Sequence, residues 1–329
     1  MPTNKPIRRV AIIGTGVIGA SWATLFLAKG LDVIATDIAP NAETALRGFV
    51  KTAWPAVERL GLAPGAAQSR LTFTADMPTA VRAADFVQEN GPERLDFKKK
   101  LYRQLDELLP ADVIIASSSS GLTMSEIQSD CPSHPERCVI GHPFNPPHLV
   151  PLVEIVGGAK TSEATEQRAA EFYTGLGKQA VRVRKEVPGH VANRLQAALA
   201  REVYYLVAED IVSVADVDKA LSWGPGLRWG IMGQVLLNHL GGGQGGIEHF
   251  FEQFTKPMTA WWKTLGSPEL TPELQRKLID GLHAAVGSRS ISELEAQRDD
   301  ILMGLLELRN THEKASATPA RPARAGSSR

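Results

Sequence analysis

The chain has 329 residues, and its 36 Lys and Arg are balanced by 36 Asp and Glu at a pI near 7.1, so it carries no net field to attract nucleic acid. Its 43% apolar and 22% charged residues are those of an ordinary globular protein, long enough for two domains. Cys131 and Cys138 are too few for a disulfide framework or a zinc site and read as free thiols of a reducing cytoplasm. The first strand begins too early for a signal peptide and no apolar run would span a bilayer, so the expectation is a soluble cytoplasmic protein with a small neutral or zwitterionic ligand and no metal.

Val10 to Ile13 is a short apolar run of the kind that forms a central parallel strand buried on both faces. It leads directly into Gly14, Gly16 and Gly19 of GTGVIG. In this spacing Gly14 permits a sharp turn, Gly16 leaves room for a pyrophosphate beside the backbone, and Gly19 lets the next helix pack close to the sheet. That helix, Ala20 to Lys29, would direct its free N-terminal amides at the phosphates. Gly30 stops it, Val33 to Thr36 reads as the second strand, and Asp37 ends that strand. A carboxylate there accepts hydrogen bonds from the adenosine ribose and repels a 2′-phosphate, so the expected cofactor is NAD rather than NADP. The later glycine run Gly241 to Gly246 has no strand before it and reads as a mobile loop.

Further along, Asn41 to Leu60 is an alanine-rich helical stretch expected to bend or break near Trp54, because Pro55 lies inside it. Leu71 to Thr74 and Asp85 to Gln88 read as strands on either side of a short helix at Pro78 to Ala83. Arg94 to Leu109 spaces Leu95, Leu101, Leu105 and Leu108 as one helix face, with its lysines expected on solvated surface. Val113 to Ala116, Val139 to Ile140, Pro151 to Val156 and Gln179 to Val183 complete the strands. From Pro188 to about Arg309 only helical periodicity remains. The fold expected is therefore α/β: an N-terminal Rossmann doubly wound sheet (1–187), then an all-α C-terminal domain (188–310), and a disordered tail rich in Ala, Pro, Ser and Arg (311–329).

Four polar residues stand at strand ends and at the domain joint: Ser120 in ASSSSGL, His142 in GHPFNPP, Glu154 in LVEIV and Asn193 in PGHVANR. Through GTGVIG, ASSSSGL, GHPFNPPHLVPLVEIV and VPGHVANR the chain resembles the 3-hydroxyacyl-CoA dehydrogenase family, from the first strand to about Arg309. The resemblance implies that His142 and Glu154 form a catalytic pair and that Ser120 and Asn193 contact the reacting oxygen. It implies NAD contacts along Gly14, Thr15, Gly16, Val17, Ile18, Gly19 and Asp37, with Glu93 and Lys98 near the cofactor and the substrate entrance. It also implies a homodimer paired through the helical domain.

The chemistry agrees. Removing hydride from a secondary alcohol requires the hydroxyl proton to leave as well, and a neutral imidazole is matched to accept it near neutral pH. A carboxylate on the other ring nitrogen fixes the tautomer and stabilises the imidazolium. Singly each of the four has an ordinary structural reading, and His148 is read as structural; their coincidence is what speaks for catalysis.

The sequence departs from the family pattern at Trp223 to Gly233, WGPGLRWGIMG, which puts an acyl-CoA substrate in doubt. Trp223 and Trp229 could face a quaternary ammonium and Arg228 a carboxylate, although core or dimer packing is the commoner fate of such tryptophans. Carnitine, a small molecule with both groups and a secondary alcohol between them, is compatible. Gulonate, a short 3-hydroxyacyl-CoA, and a crystallin-like structural protein that binds NAD without turnover are the alternatives.

Overall fold

The computed structural model describes residues 5–317. Eight strands form one sheet: β1 (Arg9–Ile13), β2 (Asp32–Thr36), β3 (Leu71–Phe73), β4 (Phe86–Glu89), β5 (Ile114–Ser117), β6 (Cys138–Pro143), β7 (Leu152–Gly157) and β8 (Gln179–Val183). Their order is β3-β2-β1-β4-β5-β6-β7-β8; β1 to β6 run parallel, β7 turns back antiparallel to β6, and β8 is parallel to β7. The first six give the 3-2-1-4-5-6 order of a Rossmann fold, with its ligand crevice expected at the carboxyl ends of β1 and β4.

Helices α1 (Val17–Ala28), α2 (Ala42–Leu60), α3 (Met77–Val81), α4 (Leu95–Leu108), α5 (Met124–Ile127) and α6 (Glu163–Gly175) accompany the sheet. Val10 and Ile12 of β1 join one core with Trp22, Phe26, Phe86 and Tyr173, while Ala11 and Ile13 join another with Val87, Leu101, Leu105 and Ile140. Both faces of β1 are thus covered, which is why its sequence is apolar throughout instead of alternating.

The described residues fold as two compact units, one of residues 5–194 with 302–307 and a second of 195–301 with 308–317. The helices after the sheet are α7 (Ala192–Ala208), α8 (Val214–Trp223), α9 (Pro225–Trp229), α10 (Gln234–Gly241), α11 (Gly246–Trp262), α12 (Pro272–Val286) and α13 (Ile291–Ala317). Among the described residues of the second unit few apolar side chains are buried, Val207, Val217 and Leu274 among them, whereas Trp223, Val235, Trp261, Trp262 and Ile291 are exposed. No helix of the described residues is long and apolar enough to cross a membrane.

Several expectations are corrected. Helix α2 runs unbroken through Pro55, since a proline removes one N–H from the ladder and the remaining bonds carry the helix past it. The run Gly241 to Gly246 is a compact turn between α10 and α11: a Cβ on Gly242 would lie 1.7 Å from the Gly246 carbonyl, so only glycine lets the chain cross itself there. Helix α13 continues to Ala317, through the start of the expected disordered tail; positions 318–329 lie outside the described residues. Strand β6 is longer than Val139 to Ile140 and includes His142, so the histidine belongs to the sheet and not to a loop beyond it. Cys131 and Cys138 are buried free thiols with their Sγ atoms 3.9 Å apart.

Candidate active site

The glycine turn at the end of β1 has the shape of a dinucleotide cradle. Gly14 has φ +84°, and a Cβ there would press 2.7 Å from the Asn90 carbonyl; a Cβ on Gly19 would collide with the Gly14 carbonyl at 1.9 Å. Around Gly16, by contrast, a Cβ would meet nothing within 4 Å, so the backbone is open on that side. Gly16 caps α1 with no side chain, which leaves the first-turn amides of Val17 and Ile18 for an anion. Asp37 sits against this turn, accepting from the Thr15 amide at 2.6 Å, the Thr15 hydroxyl at 3.0 Å and the Ala39 amide at 2.9 Å. Burial pushes its carboxyl up, but these donors outweigh burial and hold it below the ordinary carboxylate value. The residues therefore fit a dinucleotide with free ribose hydroxyls. Replacing Asp37 by Ala should weaken NAD binding about tenfold or more, as loss of hydrogen bonds to a charged group does, and should narrow the preference over NADP. Cofactor titration by fluorescence quenching checks this.

At the next strand ends a buried ion pair supports the floor. Lys98 and Glu89 are both fully buried, with Lys98 Nζ 2.8 and 2.9 Å from the two Glu89 oxygens. Glu89 also accepts from the Ser117 hydroxyl at 2.6 Å and the Gly91 amide at 2.6 Å. Lys98 is thus buried and not on solvated surface. A buried carboxylate needs a counter-charge, and α4 supplies it from its inner face.

Glu93 is half exposed and grips the serine turn instead: its Oε1 accepts from the Ser119 hydroxyl at 2.7 Å, the Ser120 amide at 2.9 Å and the Gly121 amide at 2.8 Å. Its burial raises the carboxyl, and these bonds with Lys98 more than reverse that.

The pair at the centre follows from sheet register. In the antiparallel β6–β7 ladder His142 stands directly opposite Glu154, which places both side chains on one face. His142 Nδ1 lies 2.9 Å from Glu154 Oε2, and both side chains are buried. The other oxygen, Oε1, accepts the backbone amides of Val191 at 2.8 Å and Ala192 at 3.0 Å, at the N-terminus of α7. Burial raises the Glu154 carboxyl, but the His142 ring and the two amides bring it below the ordinary value, so it stays ionised at neutral pH and accepts the proton-bearing Nδ1. That arrangement leaves His142 Nε2 as an acceptor. Asn193 Nδ2 reaches the Ser120 carbonyl at 3.5 Å, bringing the other two members of the set together.

His148 is bonded through Nδ1 to the Ser21 hydroxyl at 2.7 Å, in a structural position. Trp223 and Trp229 are exposed on α8 and α9 of the second unit, where Trp229 Nε1 donates to Gln234 at 2.6 Å; Arg228 is exposed between them in sequence and has no ion pair among the described residues. No ring contact joins the two tryptophans among the described residues.

Three residues of the site are not apparent from sequence reasoning. Glu89 ends a strand and looks like solvated surface. Lys178, buried, bonds the Pro147 and Val150 carbonyls and lies 5.0 Å from the Trp22 ring, so it straps the loop that follows His142; burial pulls its pKa down to about 7. His190, within PGHVANR, touches the central pair directly, with its ring 5.1 Å from that of His142. No group of residues suited to a metal ion occurs among the described residues.

A dinucleotide cradle beside a buried carboxylate-backed histidine defines an NAD-dependent dehydrogenase. The family model for the NAD-binding domain of 3-hydroxyacyl-CoA dehydrogenase matches residues 9–187, and that for its C-terminal domain matches residues 189–282. The chain belongs to the 3-hydroxyacyl-CoA dehydrogenase family. A protein named L-carnitine dehydrogenase from Pseudomonas sp. is 50% identical over 307 residues, 93% of this chain and 95% of its own. Another of that name, from Streptomyces griseus, is 47% identical over 316 residues, 95% and 94% of the two chains. Among solved structures, 5-formyl-3-hydroxy-2-methylpyridine 4-carboxylic acid 5-dehydrogenase, an NAD+-dependent dismutase, matches with a TM-score of 0.80 at 31% identity, over 94% of this chain and 99% of its own.

Proposed function

We propose that this protein oxidises L-carnitine to 3-dehydrocarnitine with NAD, using His142 as general base. The observation that carries the chemistry is the buried His142–Glu154 pair, set in register across β6 and β7. The substrate is inferred from the relatives named L-carnitine dehydrogenase, which this chain matches at 43–50% identity over nearly its whole length.

When bound along Gly14 to Gly19 and Asp37, NAD supplies the acceptor for hydride from C3 of the substrate. His142 Nε2 takes the hydroxyl proton, and the C3–O bond becomes a carbonyl. Glu154 keeps Nδ1 protonated and stabilises the imidazolium until that proton passes to solvent. Ser120 and Asn193 orient the reacting oxygen towards His142. Glu93 holds the turn on which Ser120 sits, and Lys98 stabilises the ground beneath it.

Arg228 is assigned to the substrate carboxylate, and Trp229 with Trp223 to the trimethylammonium group, consistent with exposed side chains in a segment that departs from the family pattern. Replacing Arg228 or Trp229 by Ala should raise the KM for L-carnitine about tenfold or more while the NAD affinity stays within about twofold. Equal loss of both affinities would instead indicate general unfolding. The exposed apolar side chains of the helical unit support a homodimer.

The test is NADH formation with L-carnitine, D-carnitine, gulonate and 3-hydroxybutyryl-CoA offered in parallel. Turnover confined to L-carnitine supports the reading. Turnover of gulonate or the thioester in its place keeps the dehydrogenase chemistry and discards the substrate assignment, and silence with all four, despite NAD binding, discards both.

A further inference from the structure

We propose that His190 is a positioning residue of this reaction, one that ties the serine turn to the base pair through its Nε2–H; the inference rests on reading His142 as the base. His190 precedes α7 by two residues and sits in the left-handed region at φ +50°. That local conformation presents the next two amides, those of Val191 and Ala192, to Glu154 Oε1. The residue is 2% exposed, its ring is inclined at 50° to the His142 ring, and its Nε2 lies 3.0 Å from the Ser119 carbonyl.

A carbonyl oxygen only accepts, so Nε2 must carry the hydrogen. In the neutral ring Nδ1 is then a bare lone pair, and it is buried with no partner among the described residues. A phenyl ring would fill this space without burying an unpaired nitrogen. Packing alone therefore does not explain an imidazole here, whereas the Nε2–H bond does. Glu93 holds the same turn through the Ser119 hydroxyl and the Ser120 and Gly121 amides. The serine turn is thus fixed at two points, one charged and one neutral, and His190 is the point that also touches His142.

The groups facing His190 are His142, Glu154 and Glu93. Burial, aided by His142 and opposed by the Ser119 carbonyl and the two carboxylates, holds its pKa below the ordinary imidazole value. His190 consequently stays neutral while His142 gains a proton. The turn remains tied throughout the cycle, and no second cation forms beside the base.

Two substitutions separate the roles of the residue. His190→Phe keeps an aromatic ring and loses the donor; His190→Gln loses the ring and keeps an N–H that can reach the Ser119 carbonyl. Both are placed at the same left-handed position, so a recovery in His190→Gln, despite the lost ring, is owed to the restored hydrogen bond. With the alcohol of the substrate panel that the wild-type protein oxidises, kcat of His190→Phe should fall roughly 10- to 100-fold, and His190→Gln should recover most of it, with NAD affinity unchanged in both. Equal kcat in the two variants, or a fully active His190→Phe, overturns the proposal while leaving the His142 reading intact; an active His142→Gln variant would remove that reading instead. Imidazole 15N shifts of the wild-type protein supply a measurement that no folding defect can obscure. An Nε2–H tautomer for His190 across neutral pH is expected, and an Nδ1–H tautomer or a protonated ring would overturn the assignment.

Discussion

Replacing His142 by Gln should lower kcat for L-carnitine oxidation by about 10²- to 10⁴-fold, the usual contribution of a positioned general base, while leaving NAD affinity within about twofold. The separation is expected from the architecture. The cradle at Gly14 to Gly19 and Asp37 belongs to β1, α1 and β2, whereas His142 belongs to β6, with β4 and β5 between them in the sheet. Gln can hydrogen-bond Glu154 and fill most of the volume of the ring, so the site stays closed. It has no nitrogen that takes a proton at neutral pH, and the hydroxyl proton must then leave to water. Stopped-flow NADH formation with saturating NAD measures kcat, and cofactor titration measures the affinity. A variant retaining more than about a third of wild-type kcat would remove His142 from the proton path.

Glu154→Gln should be at least as damaging, towards about 10⁴-fold in kcat, even though it changes one atom of the side chain. Glu154 accepts three hydrogen bonds: Oε1 takes the Val191 and Ala192 amides, and Oε2 takes His142 Nδ1–H. A carboxamide has only one acceptor atom. Facing that oxygen to the two amides turns its NH2 group towards His142, and Nδ1 must then accept. The ring hydrogen moves to Nε2, the nitrogen assigned to take the substrate proton. The opposite orientation sets NH2 against two amide N–H groups at the start of α7. Both settings disable the base, and the tautomer change should be visible as an exchange of the two His142 nitrogen resonances. Near-normal kcat in a folded Glu154→Gln would contradict the proposed role of the carboxylate.

The cradle was legible in the sequence because its parts are consecutive. An apolar strand, three glycines, a helix and an acidic strand end lie within Arg8 to Asp37, and backbone sterics dictate the spacing. The His142–Glu154 pair was legible only by resemblance. What brings the two together is the antiparallel return of β7 along β6, and a short apolar strand does not declare its direction. Lys98 was misread for a related reason. The helical spacing of Arg94 to Leu109 shows which face is apolar but not that a buried Glu89 waits beneath one lysine. Pro55 misled in the other direction, since local propensity predicted a bend or break and α2 runs on through it without a break. His190 escaped notice because a histidine beside Gly189 is a common turn residue. Its meaning lies in a ring contact to His142 and a bond to Ser119, both distant in sequence.

The most direct test of His142 as the base is the pH dependence of kcat/KM for L-carnitine, measured on the wild-type protein and on His142→Gln over the same range. Since the active base is a neutral imidazole, kcat/KM of the wild type should rise from about pH 6 and then level off by about pH 9, whereas the residual activity of the variant, whose proton leaves to water, should climb with hydroxide and not level off. A wild-type value that falls steadily over this range with the fold intact, or a variant profile that rises and levels off as the wild type does, would contradict His142 as the base.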